Sequence, residues 1–513
     1  MEKKYILGID IGGTAGKAGL YDLHGQELLT EKAYFAPFSP HDGWLERDMD
    51  ALTEAVFEML RRIIDRAAIG PAEILGIGVT SYSNGVVLID RDGRSPYNGR
   101  CILAGDTRAK ELVQQWKADG TYDTVTAVTC QQLWAGQTSP LLAWMVRERP
   151  DVIENTWVVL SCADYIRYLL TGTVSAEVTN ASTVSCMDLR RRCFSSEVFR
   201  ALGMESVLPK MPERIVEPAE IAGYVTAEAA GRCGLCAGLP VMGGLADITS
   251  CCIASGITDA SRLCVTFGTW SINEYISREP VLRPDLFMTS LYCIPGYYLI
   301  TEGSTTSASN LQWYVERFLG REEERMRQQG KSVYDAAEEM IASIPYDDSS
   351  ILFLPFLYGS NVNVDARSAF IGITGRHTAA HMLRAVYEGI AFSHLQHIEK
   401  LIDFRGGPPE AVRISGGGAS SDEWCRMFAD LLQLPVEISD ASELGALGVA
   451  MCVTVGAGLY GSFEAAAEKL CRIRKTVQPD PARAGYYRAK YNAYQAVIRA
   501  LDGAWSEFAV LEK

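Results

Sequence analysis

The sequence predicts an α/β protein built from two similar halves, and three observations predict it. At 513 residues the chain is too long for a single hydrophobic core, so two or three domains are expected. It opens with two short apolar runs, residues 5–10 and 17–22, joined by Gly12-Gly13-Thr14, which reads as a hairpin of buried strands. The same grammar returns where residues 262–266 and 271–273 flank Phe267-Gly268-Thr269.

The elements follow in order. Asp48 can cap a helix that places Leu52, Val56, Met59, Leu60 and Ile63 on one face. Residues 74–79 and 86–89 read as strands around Ser81-Tyr82-Ser83-Asn84. In the second half, a strand at 412–414 meets Gly416-Gly417-Gly418. A helix then opens at Ser421 or Asp422, with Trp424, Met427, Phe428, Leu431 and Leu432 at one-face spacing. The charge-dense 321–331 predicts a solvated helix, and Tyr487, Tyr491, Tyr494, Ile498 and Leu501 predict a final helix packed on the body. Residues 444–463 carry no charge, but their glycines and lack of bulk fit a buried small-residue helix ending near Gly456 better than a membrane span. The boundary is expected just after Asp247 to Gly256, dividing the chain into 1–256 and 257–513.

Composition narrows the function. Apolar residues at 48% and charged residues at 22% are ordinary for a globular protein. A net charge of -15 argues against nucleic acid or an anionic membrane as partner. The start runs directly into a strand, without the apolar stretch of a signal peptide, and the scattered cysteines suit buried thiols, so a cytoplasmic location is expected. Cys233 and Cys236 have no second pair, which disfavours zinc. His377, His381, His394 and His397 lack the glutamate of a zinc-peptidase motif and read as structural.

What remains is an anion-binding pattern with two acids. A P-loop is missing, since Ile11 stands where a glycine and Ala18 where a hydroxyl would be needed. Three other glycine-rich turns, at Gly12-Gly13-Thr14, Gly268-Thr269 and Gly416-Gly417-Gly418, can bring backbone N–H groups close to an anion. The third also opens a helix, whose N-terminal amides favour phosphate. Asp10 and Asp247 each end a glycine-bearing apolar run, where a charge is costly unless it meets a cation or does chemistry. Helix capping is the plainer reading of each.

Together these residues resemble the FGGY carbohydrate kinases, within the actin-like ATPase superfamily. The likeness runs through residues 8–14, Gly43-Trp44-Leu45-Glu46-Arg47-Asp48, Asp106-Thr107-Arg108-Ala109, residues 164–172, Gly243-Gly244-Leu245-Ala246-Asp247, Thr266-Phe267-Gly268-Thr269, Glu388-Gly389-Ile390-Ala391-Phe392 and Gly416-Gly417-Gly418-Ala419. Within the family it is greatest to the L-xylulose kinases, on Leu133-Trp134-Ala135-Gly136-Gln137, on residues 353–361, and on Tyr387-Glu388-Gly389 with Phe392-Ser393-His394.

The resemblance implies two ribonuclease-H-like domains flanking a catalytic cleft, sugar and base in 1–256 and ATP in 257–513. It implies Asp247 as catalytic base, Asp10 near Mg²⁺, and Gly12, Gly13, Thr14 and Lys17 at the transferring phosphate. Thr266, Gly268, Thr269, Gly417, Gly418 and Ser421 match nucleotide contacts, with Ala308 and Gln312 near the adenosine. Ser83, Asn84, Asp106, Gln137 and Asp247 would face the sugar. Ser83-Asn84 differs from the residues that glycerol kinases and D-xylulose kinases carry there, and Ile248 replaces a polar residue of many relatives. The implied substrate is L-xylulose or a related pentulose, with D-xylulose, ribulose, erythrulose or xylitol as alternatives. A non-enzymatic actin-like ATP-binding protein is the competing class. Expected partners are the small sugar and at most a second copy in a homodimer, with neither nucleic acid nor membrane.

Overall fold

The computed structural model describes residues 3–268, 270–360, 363 and 365–509. These divide into two units: 1–258 with 276–300 and 441–472, and 259–275 with 301–440 and 473–513. Each carries the expected hairpin at the centre of a mixed sheet.

In the first unit, strand Tyr5–Ile11 pairs antiparallel with Ala15–Asp22, which pairs with Glu27–Tyr34. Its other edge pairs in parallel with Ile74–Ser81, followed by Pro240–Met242 and Ile221–Tyr224. The hairpin register sets Asp10 opposite Lys17. Helix Met49–Ala67 is capped by Asp48, which accepts from Ala51 N, and buries the expected Leu52, Val56, Met59, Leu60 and Ile63. A satellite core, with Leu88, Leu141, Leu142, Val159 and Phe199 among its members, supports the loops that follow Ser81.

The uncharged stretch forms helix Leu444–Gly456, buried through Thr454, and belongs to the first unit. No helix among the described residues is long and apolar enough to cross a membrane. This one packs on strands Tyr5–Ile11 and Ile74–Ser81 and on helix Asp247–Ala254, and its small residues explain how closely. A β-carbon on Gly8 would stand 2.1 Å from Ala446 O, and one on Gly445 would stand 2.2 Å from Asp10 Oδ2. Gly8 therefore lets the strand meet the helix backbone, and Gly445 leaves room for the Asp10 carboxylate.

The second unit repeats the plan. Arg262–Phe267 pairs antiparallel with Ser271–Ser277 and parallel with Ala411–Gly416, and Val436–Ser439 and Ile473–Val477 extend the sheet. Helix Asp422–Leu432 opens at Ser421 and buries Trp424, Met427, Phe428 and Leu431. The charge-dense segment is helix Gly320–Gln328, with Met326 its one buried residue among those described. In helix Pro481–Leu501, Tyr487, Tyr491, Tyr494 and Ile498 are buried, while Lys490 pairs at 2.5 Å with the buried Glu388, which also takes Arg384.

The close approach yields a test. Gly8→Ala should destabilise the protein by about 1–3 kcal/mol, the usual range for overpacking. Urea denaturation of purified variant and parent measures it, and an unchanged midpoint would contradict the packing described.

Candidate functional site

The chain reaches Asp247 through a tightly held turn. Gly244 has φ +86°, and a β-carbon there would stand 2.0 Å from Val79 O. Buried Arg167 donates to Gly243 O and, at 2.6 Å, to Asp164 Oδ1. Thr179 Oγ1 donates to Glu177 Oε2 at 2.7 Å and accepts from Ala246 N at 2.9 Å, so its hydroxyl ties the residue before Asp247 to a buried carboxylate. Burial raises Glu177 to about 8 against the hydrogen bonds of Thr179 and Asn180.

Asp247 is the first residue of helix Asp247–Ala254, where the backbone dipole favours a negative charge. Its Oδ1 accepts from Ser83 Oγ at 3.1 Å and from Ile248 N at 2.9 Å. Burial lifts its carboxyl to about 6 in spite of those bonds. Asp10 is lifted to about 7, first by burial and then by the charge of Asp247, with Lys17 opposing. Both aspartates keep part of their surface open.

Lys17 does not stand alone. Its Nζ pairs with Glu443 Oε2 at 2.6 Å, and Lys32 Nζ lies 3.7 Å from the other oxygen. Burial disfavours the Lys17 ammonium, but Glu443 outweighs that and raises its pKa. Glu443 escaped the sequence reading, although it directly precedes the uncharged run, where a charge at the mouth of a buried helix is itself a signal. Arg47 falls in the 43–48 motif, which gave it no role. It is buried, donates to Gly13 O, and lies over the rings of Phe35 (4.7 Å) and Tyr82 (5.4 Å). The Gly12-Gly13-Thr14 turn is thus held from behind, with Gly12 N bonded to Ala15 O at 2.8 Å.

Three loops meet beside Ser83. Gly85 N donates to Gly136 O at 3.4 Å, and a β-carbon on Gly136 would stand 1.8 Å from Ala104 O. Asn84, at φ +69°, accepts from Thr138 N at 3.3 Å. Gln137 donates to Gln131 Oε1 at 3.1 Å, and its own Oε1 is buried without a partner among the described residues. Asp106 is enclosed: Arg108 pairs with its Oδ2 at 2.7 Å and with Glu46 at 2.9 Å, while Leu45 N donates to the same Oδ2 at 2.6 Å. Trp44 covers the Arg108 guanidinium at 3.8 Å.

In the second unit Ala308, Gln312, Gly417, Gly418 and Ser421 line one cleft of about 490 Å³, together with Tyr334, Glu338, Tyr387 and Trp424. Gly268 O accepts from Ala308 N at 3.1 Å, and Thr266 Oγ1 shares a hydrogen bond with Ser415 Oγ. Thr269 lies outside the described residues. A glycine turn followed by a helix predicts an anion at this helix end; the anion found there is Glu338, which accepts from Ser421 Oγ and Glu423 N. His394 and His397 sit in buried networks, the first with Ser271 and Asn273, the second with Glu302 at 2.9 Å.

Comparison with known proteins gives the family and the fold. The model of the FGGY family of carbohydrate kinases, N-terminal domain, matches residues 5–254, and that of the C-terminal domain matches residues 263–457. The L-xylulose/3-keto-L-gulonate kinase of Escherichia coli (strain K12) is 34% identical over 98% of this chain and 98% of its own length. The crystal structure of xylulose kinase from Rhodospirillum rubrum superposes with a TM-score of 0.83 at 26% identity, covering 98% of this chain and 100% of that one. Plasmodium falciparum glycerol kinase with ADP shares the fold, with a TM-score of 0.84 at 20% identity over 98% and 99% of the two chains. The fold is that of the actin-like ATPases, as expected.

The support behind Asp247 can be tested on stability alone. Thr179→Val removes one hydroxyl and leaves Ala246 N and Glu177 Oε2 buried without it, for an expected loss of about 1–3 kcal/mol. Thr179→Ser keeps the hydroxyl and should lose less than about 1 kcal/mol. Equal losses in denaturant melts would show that the hydroxyl is not what holds the turn.

Proposed function

The chain belongs to the FGGY family of carbohydrate kinases and is a phosphotransferase, and from that premise we propose that it moves the γ-phosphate of ATP to a hydroxyl of a small ketose, L-xylulose or a related pentulose. The observation that carries the reading is Asp247: a carboxylate at a helix N-terminus, oriented by Ser83, with its surface partly open beside Asp10 and the Lys17–Glu443 pair.

Phosphoryl transfer passes through a loose transition state, so positioning and charge neutralisation supply most of the acceleration. Ser83 holds Oδ1 of Asp247, which leaves Oδ2 to orient the sugar hydroxyl and accept its proton as the new O–P bond forms. Gly13 and Thr14 offer backbone N–H groups to the transferring phosphate, Gly12 shapes their turn through its own bond to Ala15 O, and Lys17 offers a cation, kept in register by Glu443. From the second unit, Thr266, Gly268, Thr269, Gly417, Gly418 and Ser421 would serve the nucleotide, with Ala308 and Gln312 near the adenosine. Ser83, Asn84, Asp106 and Gln137 would form the sugar pocket, where Gln137 brings an amide oxygen that has no partner among the described residues.

The donor set fits Mg²⁺. Asp10 is an oxygen ligand whose charge the fold resists through burial and through Asp247, a conflict that a hard divalent cation resolves. Asp10 would hold the ion, directly or through water; when bound, the cation offsets phosphate charge.

The identity of the sugar rests on likeness to the 34%-identical kinase named for L-xylulose and 3-keto-L-gulonate. An ADP-release assay across L-xylulose, D-xylulose, ribulose, erythrulose, xylitol and glycerol should give the highest kcat/KM with a pentulose and little with glycerol. The base must be ionised, so kcat/KM should fall about tenfold per pH unit below the Asp247 value of about 6. Activity confined to glycerol, or a flat acid limb, would overturn the substrate or the base respectively.

A further inference from the structure

The cleft of the second unit has a chemistry at odds with holding phosphates. Glu338 lines it, with Ser421 Oγ donating to Oε2 at 2.5 Å and Glu423 N to Oε1 at 2.7 Å. The N-terminus of helix Asp422–Leu432 is therefore already answered by the protein's own carboxylate, and a phosphate placed there would meet like charge. Asp335 adds a second acid to the lining, where it caps its own helix through Ser332 N. No Lys, Arg or His lines the cleft among the described residues. Tyr387 and Trp424 supply aromatic wall, their rings 4.9 Å apart, and Trp424 stacks on Phe267 at 4.7 Å.

Such a lining excludes a polyanion and suits a planar, uncharged group that carries hydroxyl donors. Each carboxylate oxygen has two lone pairs, and the bonds to Ser421 and Glu423 occupy one on each. Resting on the reading that this unit binds ATP, we propose that Glu338 accepts hydrogen bonds from the ribose 2′- and 3′-hydroxyls of the nucleotide, and so determines the preference for ribonucleotides. The nucleoside occupies the cleft, and the phosphates lie outside the reach of Glu338. Two fixed donors hold the carboxylate in one orientation, which is what a specificity group needs if it is to discriminate.

Calorimetric titration with MgADP, its 2′-deoxy and 3′-deoxy forms, and MgGDP tests this without any sugar substrate. The parent protein should bind ADP about 10- to 100-fold more tightly than either deoxy form, the range for a hydrogen bond to a charged group. In Glu338→Gln the ratio should shrink to within about threefold, while ADP itself still binds. A parent that binds all three alike, or a variant that keeps the parent ratio, would overturn the assignment; the parent ratio needs no variant to fold. Tighter binding of GDP than ADP would also overturn it, because a carboxylate reading guanine N1–H and N2–H₂ would act on the base instead. Failure of the parent to bind ADP at all would overturn the nucleotide reading itself, whereas ADP binding without discrimination defeats only the role of Glu338.

Discussion

Helix Leu444–Gly456 lies against strand Tyr5–Ile11 at backbone contact, and the candidate site in the first unit is arranged by that contact. Gly445 leaves room for the Asp10 carboxylate, and Gly8 removes the side chain that would otherwise hold the helix off the strand. With it removed, the residue before the helix, Glu443, comes within hydrogen-bond distance of Lys17 on the neighbouring strand. The same helix packs on Asp247–Ala254, so strand, turn and both helices form one rigid frame around three carboxylates and a lysine. A wider spacing would leave Lys17 without its partner and Asp10 without its enclosure.

The electrostatics follow from that frame. Asp10, Asp247 and Glu443 bring more negative charge than Lys17 and the more distant Lys32 neutralise, and burial adds to the strain on both aspartates. Unpaired charge held in a poorly solvated place is unfavourable for folding and useful for chemistry, since it is poised for a cation and a proton. The opposite arrangement rules around Arg108, where two carboxylates, a guanidinium and Trp44 satisfy one another and hold the loop carrying Asp106.

Much of this was legible in the sequence, and what was not has a physical reason. The hairpins, the Asp48-capped helix and the tyrosine-faced final helix follow from local periodicity, so they could be read residue by residue. Asp10 and Asp247 stood out because an acid ending an apolar run is locally anomalous. Glu443, Thr179 and Glu338 did not. Each acts through a partner far along the chain: Lys17 for Glu443, Ala246 for Thr179, Ser421 and Glu423 for Glu338. Charge at the end of the uncharged stretch was the one available hint. Asn84 and Gln137 were marked as sugar contacts by resemblance, and the structure adds that Asn84 also accepts from the first turn of helix Thr138–Glu148 while Gln137 joins Gln131.

The account stands on Asp247 being the group that takes the proton. Asp247→Asn preserves the size of the side chain and can still accept from Ser83, but it cannot accept a proton. Steady-state turnover with the best pentulose, measured beside ADP titration and thermal melting, separates chemistry from structure. The account predicts kcat lower by about 10²–10⁴, with ADP affinity and melting midpoint close to the parent values. A variant that folds, binds ADP and phosphorylates sugar at the parent rate would contradict it.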